Sequence, residues 1–249
     1  MKTKWDYTDL AKAYLKRPDY SDVAIDALLR NAGIEAGAGV CDVGAGVGHL
    51  TIKLAERDLN VIAVEPNDAM REHGKPRTAQ WDSVSWYEGT GEETGQTDTT
   101  FELVTFGSSF NVVDREATLK EVQRILRPRG FFACMWNHRD LNDPIQAEIE
   151  SIIKNHVEEY QYGTRREDQT SVIDASELFE PVVRIEATTY ISQSVKDCVE
   201  AWQSHATLQR QAGEKFIAVV DDIAAFVSEG GRSELQIPYT TRIWTAQLK

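Results

Sequence analysis

The sequence predicts a doubly wound α/β fold, with a mostly parallel seven-stranded sheet and a helical insertion near its C-terminal end. Three observations predict it. Short apolar runs alternate with amphipathic stretches as far as Trp136; a glycine-rich turn joins the first run to a helix; and the later part of the chain abandons strict alternation while adding two more strand-like runs. The 249 residues suit one domain, 1–249, large enough to cover a central sheet on both faces.

The elements follow in order. Val23, Ala24, Ala27 and Leu28 recur at helical spacing, with Ser21 as the N-cap candidate and Gly33 as the stop. Residues 39–43 read as a short buried strand, and 50–57 as the helix after the glycine turn. A second strand at 61–64, a short helix at 67–73, a third strand at 84–87 and a fourth at 101–106 continue the alternation. Asp114 is placed to cap a helix striped by Leu119, Val122, Ile125 and Leu126, which Pro128 and Gly130 end before a fifth strand at 131–136. Beyond it, 144–160 is helical and 182–191 strand-like. The stripes Val195, Val199, Trp202 and Phe216, Val220, Ile223, Val227 then give two amphipathic helices. Residues 235–239 alternate as a last strand, and Pro238 places that strand at or near a sheet edge or bulge. The helical insertion, 192–232, reads either as extra core cover or as a lid over a substrate pocket.

Composition narrows the partners. With 41% hydrophobic and 27% charged residues the chain is an ordinary globular one. A net charge of -13 and a pI near 4.9 give an acidic surface that disfavours nucleic acid and anionic lipid. Cys41, Cys134 and Cys198 lie far apart without a C-x-x-C pair, so neither a disulfide framework nor a metal site is expected. The polar N-terminal stretch and the lack of any apolar run approaching ~18 residues point to a cytoplasmic protein, monomeric or homodimeric, with no membrane partner.

The chemistry centres on Asp42-Val-Gly-Ala-Gly-Val-Gly48. Alternate glycines let the backbone turn sharply out of a strand and let a ligand approach main-chain N–H groups that a Cβ would shield. Glu65, ending the second strand, is positioned to accept the ribose hydroxyls of an adenosine cofactor. A nicotinamide-binding loop would be G-x-G-x-x-G, and its last glycine position holds His49.

On these residues the chain resembles the class I S-adenosylmethionine-dependent methyltransferases, whose loop is an acidic residue followed by G-x-G-x-G. The segments 64–70, 88–92 and 101–104 are similar to the family's later motifs, as are Glu121, Arg124, Leu126, Pro128 and Gly130 in the helix leading to strand five. The resemblance implies a Rossmann-like sheet and S-adenosyl-L-methionine as cofactor. It also implies cofactor contacts from Asp42, Gly44, Ala45, Gly46, Gly48, Glu65, Pro66, Met70, Thr90, Gly91, Glu92, Phe106 and Gly107. Within the class the chain looks most like the small-molecule branch that includes trans-aconitate methyltransferase, through Arg17-Pro18 between Tyr14 and Tyr20 and through the 237–242 strand. There the N-terminal segment, 1–20, folds over the cofactor, which makes Tyr14 a cofactor contact and Tyr7 and Tyr20 substrate-side lid candidates.

Two departures limit the likeness. Glu102 stands where the fourth motif has Asp, and Asn111-Val112 replaces a His-Trp pair. Asn111 either orients a substrate through its amide or caps its loop. His138, just past the fifth strand, is the candidate base; His205 and Trp202 in the insertion complete the candidate substrate set. In-line methyl transfer depends mainly on positioning, so a base is needed only if the acceptor has a proton to lose. The expected function is methylation of an O or N atom of a small-molecule metabolite. An NAD(P)-dependent oxidoreductase and a non-catalytic cofactor-binding protein are the alternatives.

Overall fold

The structure is a computed structural model that describes residues 8–249, apart from the side chains of Asp9 and Arg165. Tyr7, one of the lid candidates, lies outside the described residues. Seven strands form one sheet in the order β3-β2-β1-β4-β5-β7-β6. They are β1 (Gly39–Val43), β2 (Asn60–Val64), β3 (Val84–Tyr87), β4 (Phe101–Gly107), β5 (Leu126–Arg139), β6 (Val183–Ser194) and β7 (Glu234–Gln247). The first five are parallel, and β7 runs antiparallel to both β5 and β6. This is the Rossmann-like sheet that the resemblance implies. The strand order reverses at β1, between β2 and β4, and the crevice at such a switch point, outside the strand carboxyl ends, is where open α/β sheets take ligands.

Helices cover both faces: α1 (Ala11–Tyr14), α2 (Asp22–Ala32), α3 (His49–Ala55), α4 (Asp68–Thr78), α5 (Arg115–Ile125), α6 (Pro144–His156) and α7 (Thr170–Asp174). Successive residues of a strand point to opposite faces, so Leu103, Ala133 and Ile243 join Ile25, Leu28, Leu50 and Leu54 on one side. Val104, Phe132 and Trp244 join the α5 stripe of Leu119, Val122 and Ile125 on the other. Asp114 caps α5 by accepting from Ala117 N, and Gly33 closes α2 in the left-handed region at φ 63°.

A third core stands apart. The insertion holds α8 (Val195–Gln203), α9 (Ala206–Ala212) and α10 (Phe216–Ser228), three helices where the apolar stripes predict two, because His205 ends the first stripe and caps a new turn by accepting from Leu208 N. These helices pack Trp202, Leu208, Ile223 and Val227 against Ile149 and Ile153 of α6 and against Leu235 and Ile237 of β7. The β6–β7 ribbon runs on past the last β5 pair, Arg139 with Tyr239, as far as the Ser194–Glu234 pair. The cap therefore grows from the sheet edge at which the parallel strands end.

Other boundaries also differ from expectation. β7 is an interior strand rather than an edge: Pro238 lies where β5 has ended, and its carbonyl still accepts from Asp140 N, so its missing N–H faces the side that no longer has a partner strand. α4 continues past residue 73 to Thr78 with Pro76 in its last turn, α6 stops at His156, and β5 begins at Leu126. Ser21 makes no side-chain cap; its hydroxyl accepts from Thr189 and its amide donates to Thr241, tying α2 to the sheet.

Candidate active site

The glycine turn is shaped by what surrounds it. Gly44 sits at φ 69°, and a Cβ there would collide with Ser109, whose hydroxyl donates to Val43 O at 2.6 Å. Gly48, at φ 86°, lies against the Trp86 ring and does not line the cavity, so its position is that of a turn residue. At Gly46 a Cβ would meet open space instead, and Gly46 lines the cavity.

The loop's amides do not form the open cradle the sequence suggests. Gly44 N and Ala45 N donate to Val64 O, Gly48 N to Ala45 O, and Gly46 N to Glu65 Oε2 at 2.8 Å. Four donors are thereby committed to the protein. What the loop offers a ligand is close approach beside a carboxylate, which suits a cationic nucleoside and does little for a pyrophosphate.

Asp42 is fully buried, with Oδ2 accepting from Thr51 Oγ1 at 2.7 Å and Oδ1 from Thr105 Oγ1 at 3.1 Å. Burial pushes its carboxyl up to about 6, against the opposing pull of those hydroxyls. Glu65 is held by two amides, Asn67 N on Oε1 and Gly46 N on Oε2, leaving each oxygen further accepting capacity; burial raises its value despite these bonds.

One cavity of about 830 Å³ opens over this loop, and the structure brings most of the sequence-selected residues into its wall. From the sheet side come Asp42, Gly44, Ala45, Gly46, Glu65, Pro66, Met70, Thr90, Gly91, Glu92, Phe106 and Gly107. Tyr14, Tyr20, Asn111, His138, Trp202 and His205 line it too. Asn111 Oδ1 accepts from Trp136 Nε1 at 3.0 Å, which fixes the amide in the wall. Tyr20 is buried and shares a hydrogen bond with Ser108 Oγ at 2.9 Å; burial raises its phenol, as it pushes Tyr239 up to about 12, so neither is poised as a base near neutrality. Trp202 and His205 stack on one another.

Residues 11–20 bridge the loop and the cap. The His49 ring bonds Tyr14 O through Nε2 at 2.9 Å and Asp19 Oδ1 through Nδ1 at 2.7 Å. At the other end Arg17 donates to Ser204 Oγ and Ser204 O, and Lys16 pairs with Asp197 of α8.

Sequence reasoning missed one group. Arg17, Arg139, Arg166 and Arg210 line the cap half of the cavity, with Gln146 and Tyr162 beside them. They come from five separate segments, so no spacing rule reveals them; a surplus of arginine facing inward in a chain of net charge -13 is legible only in three dimensions. Among the described residues no group of three or more His, Cys, Asp or Glu side chains is placed to hold a metal ion.

Comparison with known proteins bears directly on this arrangement. Residues 41–134, from β1 to β5, match a family model described as a methyltransferase domain. An uncharacterised methyltransferase of Mycobacterium tuberculosis is 30% identical over 229 residues, covering 90% of this chain and 88% of that protein. The chain belongs to the methyltransferases. It is of the class I, S-adenosylmethionine-dependent kind, and its cofactor is S-adenosyl-L-methionine. A demethylmenaquinone methyltransferase of Staphylococcus aureus is 31% identical over 112 residues, 43% of this chain and 46% of that one. Among solved structures, the YcgJ protein of Bacillus subtilis superposes with a TM-score of 0.56 at 16% identity, covering 92% of this chain and all of that one. Phosphoethanolamine N-methyltransferase 2 of Haemonchus contortus, solved with S-adenosyl-L-methionine, gives 0.54 at 14% identity over 99% of this chain and 58% of that one. These structural likenesses concern the fold. No helix among the described residues is long and apolar enough to cross a membrane.

Proposed function

We propose that this methyltransferase transfers a methyl group from S-adenosylmethionine to an oxygen or nitrogen atom of a small-molecule metabolite held under the 192–232 cap. The observation that carries the reading is one continuous cavity of about 830 Å³, floored by the glycine loop and roofed by the cap helices. That is room for a cofactor and a small acceptor side by side.

The residues present fit the cofactor. Glu65 would hold the ribose through its remaining lone pairs, and the bare face of Gly46 would admit the ligand. Asp42, Glu65, Glu92 and Asp114 make this half of the wall acidic, which favours a cation. Met70, Thr90, Gly91, Phe106 and Tyr14 would enclose the rest of the molecule. When bound, S-adenosylmethionine supplies an electrophilic methyl group on a sulfonium.

The protein's own part is placement and exclusion of water. Residues 11–20, clamped by His49 at one end and Arg17 at the other, would cover the donor, and the cap would close over the acceptor. Asn111 and His138 lie between the two halves; His138 would accept a proton only from an acceptor that has one to lose. The commitment of four loop amides to protein acceptors disfavours a nicotinamide dinucleotide.

Calorimetry tests the donor assignment: S-adenosylhomocysteine should bind in the micromolar range and nicotinamide dinucleotides should not. Unchanged affinity in Glu65→Ala would remove the ribose contact. Incubation of metabolite extracts with methyl-labelled cofactor tests the acceptor, and label recovered only in protein or nucleic acid would refute the small-molecule reading.

A further inference from the structure

The two halves of the cavity carry opposite charge. Carboxylates line the loop half, whereas the cap half presents arginines in a protein whose net charge is -13. Three of those arginines share one construction. The Arg139 guanidinium carbon lies over the Trp202 ring, 3.9 Å from its centroid; that of Arg166 lies over Tyr162 at 4.1 Å; and that of Arg17 over Tyr14 at 3.9 Å. An aromatic face fixes the plane of a guanidinium and leaves the N–H edge to address a ligand.

None of the three has a carboxylate at ion-pair distance among the described residues. Glu150 of α6, outside the cavity lining, is already engaged by the Tyr162 hydroxyl and by Lys154. Arg166 instead donates to the carbonyl of Arg139, which sets two cations beside each other; burial and the Arg139 charge together lower Arg166 from its ordinary value.

The same wall holds donors without acceptors. Arg139 Nη1 donates to Gln146 Oε1 at 3.3 Å, which leaves Arg139 Nη2 and Gln146 Nε2 buried with no hydrogen-bond partner. Gln146 is only 1% exposed. Buried polar atoms are rarely left unsatisfied, and two adjacent orphans of the same sense, both donors beside uncompensated positive charge, define what is missing as an acceptor that is also an anion.

We propose that the methyl acceptor carries an oxyanion, a carboxylate or a phosphate, anchored by Arg139, Arg166 and Gln146 with Arg17 closing from the N-terminal segment. The assignment rests on the methyl-transfer reading above and adds the chemical class of its substrate. The acidic half takes the cationic donor, the basic half takes the anionic acceptor, and each repels the other's ligand.

The test separates this from the donor assignment. S-adenosylhomocysteine binding is measured first; its absence would refute the methyl-transfer reading itself. The S-adenosylhomocysteine-loaded protein is then titrated with matched pairs, aliphatic and aromatic carboxylic acids against their primary amides and phosphomonoesters against their free alcohols. Anionic members should bind at least about tenfold more tightly, and the arm that responds identifies the oxyanion. Arg139→Gln should weaken that binding by about ten- to a hundredfold while leaving S-adenosylhomocysteine affinity within about twofold, and Arg139→Lys should recover part of it. Should Arg139→Gln fail to fold, Arg166→Gln, in the short turn Gly163–Arg166, serves in its place. Equal binding of charged and neutral partners, or no binding of any anionic compound at millimolar concentration to protein that does bind S-adenosylhomocysteine, overturns the proposal.

Discussion

The loop half and the cap half of the cavity are built by different means. The loop half draws on short stretches, 42–49, 65–70, 90–92 and 106–113, each at the carboxyl end of a parallel strand or just after it. The cap half is assembled from Arg17, the end of β5, the first turn of α6, residues 162–166, α8, α9 and the start of β7. On the assignments proposed above, backbone geometry and one or two carboxylates would do the recognising in the first, and long side chains set over aromatic rings in the second. Geometry of the first kind is tied to strand order and turn shape, whereas the second can be rebuilt side chain by side chain, so acceptor chemistry can change while donor chemistry stays.

Four measurements break or sharpen that contrast. The largest effect is expected from Trp202→Ala, which empties the cap core beneath Arg139. It should cost about 3–5 kcal/mol of cap stability, read as faster hydrogen exchange in α8 and α10, with S-adenosylhomocysteine affinity nearly unchanged. Parallel loss of that affinity would show the halves to be one cooperative unit.

Asp42→Asn works on the loop half, with the opposite sign. Because the folded value of Asp42, about 6, lies above the ordinary 3.8, its stabilising contribution is complete below about pH 4 and lost as pH rises through 6. Urea midpoints followed from pH 4 to 8 should show the asparagine variant gaining up to about 3 kcal/mol on the parent across that interval. A constant difference would mean that the buried carboxylate is already neutralised by other means.

Glu65→Ala should weaken S-adenosylhomocysteine by about ten- to a hundredfold, roughly 1.4–2.7 kcal/mol, without altering the affinity of the cap half for an oxyanion. The smallest effect belongs to His49→Gln, which removes a clamp shared by both halves. We expect about 1 kcal/mol, seen as lost protection of residues 11–20 and about fivefold weaker S-adenosylhomocysteine binding.

Legibility in the sequence followed the same division. β1 and β3 run over the residues that their apolar patterns mark, and the Asp42–Gly48 turn with Glu65 shows its character within one strand–turn–helix unit. Local chemistry decides such features, so local reading finds them. The amides of that turn were harder: that they serve Val64 and Glu65 depends on a neighbouring strand. Pro238 misleads for a related reason. A proline argues for an edge, yet β7 has strands on both sides and tolerates Pro238 because β5 stops one pair short of it, a fact of relative strand length. The third cap helix depended on His205 turning its ring to the backbone, and the arginines on segments far apart in the chain. Pairings of that kind belong to tertiary structure.

The interior position of β7 also has a consequence in time. The parallel strands β1 to β5, with the donor half of the cavity, lie ahead of α6 in the chain and pair through crossovers of modest span. β6 reaches the sheet only through β7, which follows the insertion and must enter between β5 and β6, bringing Ile237 and Tyr239 to the cap-side wall as it does so. The donor half is therefore specified by chain that precedes the insertion, whereas the proposed acceptor half waits on the long-range pairing of β7, the kind of contact that is formed late because its loop-closure cost comes first.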